Sequence, residues 1–380
     1  MATSFLDQVF PITLAERAAS LLELPDWVLE MSAEWTYSTL APVLDPFEAA
    51  VKASFPDQYR FTNNFLKSVE HPFAKRLPLM NPCHVLFGVL FYFALILATL
   101  CIGKLLGKGN YKMLGLFHNY LLHMLSLYMS VGLCVSARAA GYSLWNNAAG
   151  TTEKEWRIAK FIWVFYISKI PEWMDTVLME LKQNYHQVSF LHVYHHITIF
   201  VIWWFACWMA PGGEAYYSAM VNSSVHVVMY GYYFLTMIFS TGAIRNFLSN
   251  FKFIITKGQM TQFAFNCLQS VYDLIIVPRG QLKYSAGLLQ LLFWYMISLL
   301  ALFGNFLITG QKKHKKVQKQ LSANGAAGPA KKAETSNGKA QQQDSAPQSE
   351  KSAPTGAQKG SPAQTNGNAP AAQKTAKKKQ

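Results

Sequence analysis

Residues 83–102 read CHVLFGVLFYFALILATLCI. A bilayer core takes about 20 mostly apolar residues per helix, and this run supplies them with almost nothing polar after His84. Charge-free stretches of that length are uncommon in soluble cores. A second clean run covers 288–309. Between them lie 113–135, carrying His118, Asn119, His123 and Ser126; 190–210, with three His near its start; and 215–238. Two further runs are interrupted by polar residues: 158–179 by Lys169, Pro171, Glu172 and Asp175, and 251–277 by Lys252, Lys257, Gln259 and Gln262. The expectation is an all-α, polytopic membrane protein with seven transmembrane helices.

The chain has 380 residues and a formal net charge of +14. Residues 311–380 hold fourteen Lys against three acidic residues, a net +11, which leaves +3 for the rest. No aromatic residue lies beyond Phe306. The basic character therefore belongs to a tail, and a nucleic-acid partner loses its support. That tail is rich in Ala, Gln, Lys, Ser, Gly and Pro, and reads as disordered because it cannot bury enough apolar surface to offset its ordering entropy. The expected organisation is 1–81 as an N-terminal extension with one or two interfacial helices, 82–310 as the membrane body, and 311–380 as the tail. Met1 to Phe10 lacks the basic start and apolar centre of a secretory signal. Five scattered Cys form no CxxC pair and read as buried small hydrophobes.

The cluster Lys312, Lys313, Lys315, Lys316 directly after the last span places the C-terminus in the cytosol, and an odd span number puts the N-terminus in the lumen. Lys377 and Lys378, fourth and third from the end, match a dilysine endoplasmic-reticulum retrieval signal.

Ionisable groups within spans are expensive and mark sites. At 100° per residue Lys169, Glu172 and Thr176 share a helix side with Asp175 at its margin. Spacing alone leaves open whether this set meets a substrate or only pairs charges. His192, His195 and His196 crowd one helix face, a pattern suited to metal binding or to nucleophilic and acid–base chemistry. Asn222, His226, Met229 and Tyr233 share another face, beside Tyr230 and Tyr232. Thr256, Gln259 and Gln262 follow at intervals of three, suited to lining a polar tunnel or to bonding between helices. A di-iron desaturase or hydroxylase is the metal alternative. It needs about eight histidines in three boxes, whereas ten His here supply a single box. A seven-span transporter would not need these groups gathered in the middle spans.

The ordered set Lys169-Ile-Pro-Glu172-Trp-Met-Asp175-Thr176, Phe190-Leu-His192-Val-Tyr-His195-His196, Asn222-x-x-x-His226-x-x-Met229-Tyr230-x-Tyr232-Tyr233 and Thr256-x-x-Gln259-x-x-Gln262-Phe263 resembles the ELO family of fatty-acid elongases. The resemblance covers roughly 81–310. It implies a seven-span endoplasmic-reticulum enzyme, its helices around an acyl tunnel, that condenses malonyl-CoA with a long-chain acyl-CoA. The product is a 3-ketoacyl-CoA two carbons longer, with CO2 and CoA released and neither metal nor cofactor used. A ketoacyl-CoA reductase, a hydroxyacyl-CoA dehydratase and an enoyl-CoA reductase would complete the cycle, and a homo-oligomer is compatible with it. In this reading His195 takes the acyl group as an acyl-imidazole, His226 assists malonyl decarboxylation, and His192 and His196 orient the pair. Lys169, Glu172, Asp175, Asn222, Tyr230, Tyr233, Gln259 and Gln262 are substrate-binding candidates. Lys182, Arg245, Lys252 and Lys257 are candidates for the CoA phosphates. Gln187, five residues before the box, together with Trp203-Trp204 and the stretch 210–217, looks like the branch acting on polyunsaturated chains.

Overall fold

The computed structural model describes residues 10–249 and 251–326, with the side chains of Phe253, Arg279 and 310–326 left out. These residues belong to the first of two units, Met1–Ala330; the second, Lys331–Gln380, lies outside them. So do Lys377 and Lys378 and most of the segment read as a disordered tail.

The described residues form helices and no strands: α1 Ile12–Leu22, α2 Asp26–Ser54, α3 Pro56–Ser68, α4 Pro82–Leu106, α5 Lys112–Ala139, α6 Glu153–Ile167, α7 Lys169–Glu172, α8 Met174–Leu181, α9 Phe190–Met209, α10 Ala215–Ile238, α11 Gly242–Ser249, α12 Phe251–Val271 and α13 Ala286–Ala326. Among them, four helices are long and apolar enough to cross a membrane, namely α4, α5, α9 and the 286–309 part of α13. They match four of the seven expected spans.

The third expected span is divided. Instead of one helix through 158–179 there are three pieces, α6, the single turn α7, and α8. Pro171 supplies no N–H, so the α-ladder lapses there. The chain turns instead through tighter bonds, Trp173 N to Ile170 O at 3.1 Å and Thr176 N to Trp173 O at 3.1 Å. In the sixth expected run α12 reaches only Val271, and the chain then passes through one π-helical turn, Tyr272–Ile276. The last helix continues past residue 310, where the sequence reading ends the membrane body, to Ala326.

The helices turn apolar side chains outward and polar ones inward. On α5, Phe117, Tyr120, Leu121 and Met124 are exposed, while His118, Asn119 and Ser126 are buried. That inversion of the soluble pattern is what a lipid surround demands. Close approaches use small residues. A Cβ on Gly103 of α4 would lie 2.8 Å from the Glu180 carbonyl oxygen on α8. Ala15 and Ala19 of α1 pack with Val135 and Ala139 of α5.

The described part of the N-terminal extension, from residue 10, includes three α-helices where one or two were expected, and it is strapped to the body. Glu23 accepts from Arg157 Nε at 2.7 Å and from Lys160 Nζ at 2.5 Å, and Asp26 accepts from the same Lys160 at 2.9 Å. Four indole N–H groups donate into this extension: Trp156 to Asp26, Trp163 to the Pro78 carbonyl, Trp204 to that of Met80 and Trp208 to that of Leu66. At one end of the bundle, buried Glu214 accepts from Asn147 N at 2.5 Å and Gln269 Nε2 at 2.7 Å. This bonds the 143–149 loop to α10 and α12. Burial pushes the Glu214 carboxyl up, and the nearby Asp273 charge adds to that push.

Candidate active site

The break around Pro171 points its charged residues in different directions. Lys169 and Glu172 form an ion pair at 2.6 Å with side chains 0% and 3% exposed. The Lys169 ammonium also lies 3.9 Å from the centre of the Phe165 ring. Ser168 Oγ reaches the same Glu172 oxygen at 3.3 Å. A pair so deeply desolvated persists only because each charge answers the other. Asp175, expected at the margin of this face, turns instead to α5 and α10. It accepts from Tyr230 OH at 2.9 Å and pairs with His118 Nε2 at 2.9 Å. Thr176 meets neither charge and links Tyr92 OH to His192 Nε2, each at 2.8 Å.

Helix α9 starts beside this break. Ser189 caps it, its hydroxyl accepting from His192 N. The box histidines therefore fall within the first two turns, where spacing brings 192, 195 and 196 together. The His192 and His196 rings are 4.4 Å apart by centroid, and those of His195 and His196 5.7 Å. His195 itself is half-buried. His226 comes from α10, its Nδ1 lying 3.7 Å from Glu172 Oε1, too long for a hydrogen bond. One turn earlier, Asn222 Nδ2 reaches Gln262 Oε1 of α12 at 3.5 Å. The buried atoms His196 Nδ1, His226 Nδ1 and Asn222 Oδ1 have no hydrogen-bond partner among the described residues. Buried polar atoms without partners carry a free-energy cost that a bound polar ligand would remove.

The structure thus gathers His192, His195, His196, His226, Lys169, Glu172, Asp175, Asn222, Tyr230 and Gln262 into one region. Gln259 joins α12 to α10 through Met229 Sδ at 3.4 Å. Tyr233 is less enclosed than expected, 42% exposed and packed against Tyr232 and Tyr230. Among the cations, Lys182 is drawn inward. Burial pulls its ammonium down, and Asp175 opposes that pull. Lys252 and Lys257 are exposed and Arg245 half-buried, and among the described residues no ion pair occupies any of the three.

Sequence reasoning missed Tyr92, His118 and Tyr295. Tyr295 of α13 lies with its hydroxyl 3.3 Å from His195 Nδ1. His118 did carry a signal, as an ionisable group within a clean apolar run. The two tyrosines carried none.

Among the described residues no three His, Cys, Asp or Glu side chains are grouped so as to hold a metal ion. The arrangement suits nucleophilic and acid–base chemistry, with imidazoles from two helices facing a buried Lys–Glu pair.

Residues 77–319 match the family model described as ELO: GNS1/SUR4 family. The chain is 60% identical over 313 residues to fatty acid elongase 6 of Leishmania major, covering 82% of each protein. It is 37% identical over 213 residues to very long chain fatty acid elongase 5 of Xenopus tropicalis, covering 55% of this chain and 69% of that one. For the human protein of the same name the figures are 38% over 200 residues, 52% and 63%.

Proposed function

The chain belongs to the ELO (GNS1/SUR4) family, a fatty acid elongase of the very-long-chain 3-oxoacyl-CoA synthase type, and from that premise we propose a ping-pong condensation through an acyl-imidazole on His195. The observation that carries the proposal is the grouping of the α9 histidine box with His226 of α10, whose Nδ1 lies 3.7 Å from Glu172 in its buried pair with Lys169.

A long-chain acyl-CoA places its thioester against His195, whose nitrogen lone pair attacks the carbonyl carbon. The C–S bond breaks and CoA leaves. Malonyl-CoA follows, loses CO2, and its enolate attacks the acyl carbon, returning the lone pair to His195. His226 and the Lys169 ammonium sit where they would steady the enolate or thioester oxygen. Asn222 and Gln262 offer amides to the same oxygens, and Asp175 and Glu172 hold Tyr230 and Lys169 in place. Tyr233 and Gln259 lie farther along the same helices, on the path of the substrate.

The proposal extends to the surroundings. Three helical segments beyond the four apolar ones, α6–α8, α10 and α12, complete seven crossings around an acyl tunnel. Lys182, Arg245, Lys252 and Lys257 bind the CoA phosphates at the cytosolic mouth. The lysines at 312–316 and at 377–378 support a cytosolic C-terminus and residence in the endoplasmic reticulum. Gln187 beside the box supports a polyunsaturated acyl chain. The two reductases and the dehydratase of the cycle are the expected partners.

The test is the first half-reaction. Purified protein given acyl-CoA alone should release free CoA before malonyl-CoA is added, and His195→Ala should abolish the release. Release by that variant would overturn the acyl-imidazole. A panel of acyl-CoAs, scored by the two-carbon-longer products, tests the chain preference.

A further inference from the structure

The N-terminal extension keeps one face that its strap to the body does not use. On α2, Trp27, Met31 and Trp35 follow one another at intervals of four and are 59%, 59% and 65% exposed. Among the described residues no ring contact, hydrogen bond or ion pair engages any of these three side chains. At 100° per residue they form one stripe, on the far side of the helix from buried Leu29 and Thr36. Exposed Glu30 and Glu34 fall together on one flank of that stripe. The helix therefore turns its core side to the protein, its carboxylates to one side, and its apolar stripe outward.

Where α2 lies decides what meets the stripe. It is joined to the first turns of α4, the most apolar of the four candidate spans. Asn81 Nδ2 donates to Glu48 Oε2 at 2.8 Å, the Tyr37 and His84 rings are 6.3 Å apart, and the Phe47 and Phe87 rings 5.4 Å. Phe87 stacks in turn on Phe91 at 6.3 Å, and Phe91, like Leu86 and Leu90, is exposed on α4. An aromatic line thus runs from α2 onto the apolar surface of α4, at the level where α4 begins.

We propose that the Trp27–Met31–Trp35 face of α2 lies in the interfacial layer of the leaflet at the N-terminal end of α4, among zwitterionic headgroups. Indoles gather at that depth because the ring is apolar and the N–H polar. Area argues for lipid over a protein partner. Three side chains so exposed offer on the order of 400 Å², whereas each side of a standard protein interface contributes about 800 Å². Continuity argues the same way, since the line Phe47, Phe87, Phe91 joins this face to the surface that a spanning α4 presents to lipid. Charge selects the lipid. Ahead of Lys52, α2 exposes Glu30, Glu34 and Asp45 and carries no Lys or Arg, so it lacks the basic residues that draw interfacial helices to anionic lipid. The inference is independent of the route of the condensation.

The test uses the full chain in phosphatidylcholine vesicles, with exposed Cys101 and Cys134 and half-buried Cys267 changed to Ala. A nitroxide is attached through Met31→Cys or through Glu34→Cys. Its collisions with oxygen, which dissolves in lipid, are compared with those of a neutral nickel chelate, which stays in water. The oxygen-to-nickel ratio should fall several-fold from residue 31 to residue 34. Replacing part of the phosphatidylcholine with phosphatidylglycerol should leave the ratio at residue 31 equal or lower. Retained elongation shows that the labelled proteins are folded, and Trp27→Cys reads the same face should Met31→Cys lose it. A ratio at residue 31 no higher than at residue 34 puts the face in water. A label there that neither collider reaches puts it against a second copy or another protein. Either result overturns the proposal, and a ratio that rises with phosphatidylglycerol overturns the choice of a zwitterionic surface.

Discussion

Lys169 and Glu172 answer each other in a place water does not reach. Removing one partner strands the other charge, at a cost of about 3 kcal/mol or more. Glu172→Gln should therefore lower the thermal midpoint in detergent sharply. The double change Lys169→Met with Glu172→Gln should recover most of that midpoint while turnover stays lost. Recovery of turnover as well would make the pair purely structural. Thr176→Val cuts the link from Tyr92 to His192 and should lower kcat about tenfold without changing the thermal midpoint by more than about 1 kcal/mol in stability. The residues within each motif were legible because helical spacing alone puts them on a common face. The partners that orient them were not. His118 lies 57 positions from Asp175, Tyr92 lies 84 from Thr176, and Tyr295 lies 100 from His195. Nothing local to those residues announces a partner so distant; only the packing of separate helices does.

At the scale of the element, apolar length was the readable signal, and polar interruption was not. Runs of 20 apolar residues became α4, α5, α9 and the first part of α13 within a few positions. In the third run, Pro171 divides what hydropathy joins, and the break turns Asp175 toward α5 and α10 while leaving Lys169 with Glu172. Pro171→Ala restores an N–H donor and allows the helix to run on. It should hold or raise stability yet lower kcat, seen by comparing thermal midpoints with elongation rates. Gly103 makes the opposite case, where the backbone of α8 leaves no room for a side chain. Gly103→Val should destabilise by about 1–3 kcal/mol through forced separation of α4 and α8. The extension of α13 to Ala326 was hidden by composition, since Lys, Gln and Ala are poor core formers but good helix formers once a helix is already running.

Taken whole, the molecule is held by a strap that the catalytic motifs do not foretell. Lys160 is 2% exposed, and Glu23 and Asp26 of the N-terminal extension are its counter-charges. Burial alone would raise Glu23, but the hydrogen bonds from Lys160 and Arg157 outweigh it and hold the carboxyl below its ordinary 4.5. Burial likewise acts upward on Asp26, and Lys160 and Trp156 hold it below its ordinary 3.8. A carboxyl that folding depresses adds stability above its unfolded value and surrenders it as pH falls through the folded one. The thermal midpoint should therefore decline as pH drops below 4.5, and Glu23→Gln should flatten that decline. An equal slope in both proteins would assign acid lability elsewhere. Deleting 1–81 would leave Lys160 without either carboxylate.

The strap also carries its own optical reporter. Four of the ten tryptophans, Trp156, Trp163, Trp204 and Trp208, donate their indole N–H groups to Asp26 or to the carbonyls of Pro78, Met80 and Leu66. Peeling the N-terminal segment from the bundle would hand those indoles to water at one stroke. Intrinsic fluorescence would then register detachment without any label, ahead of the unfolding of the helices behind it.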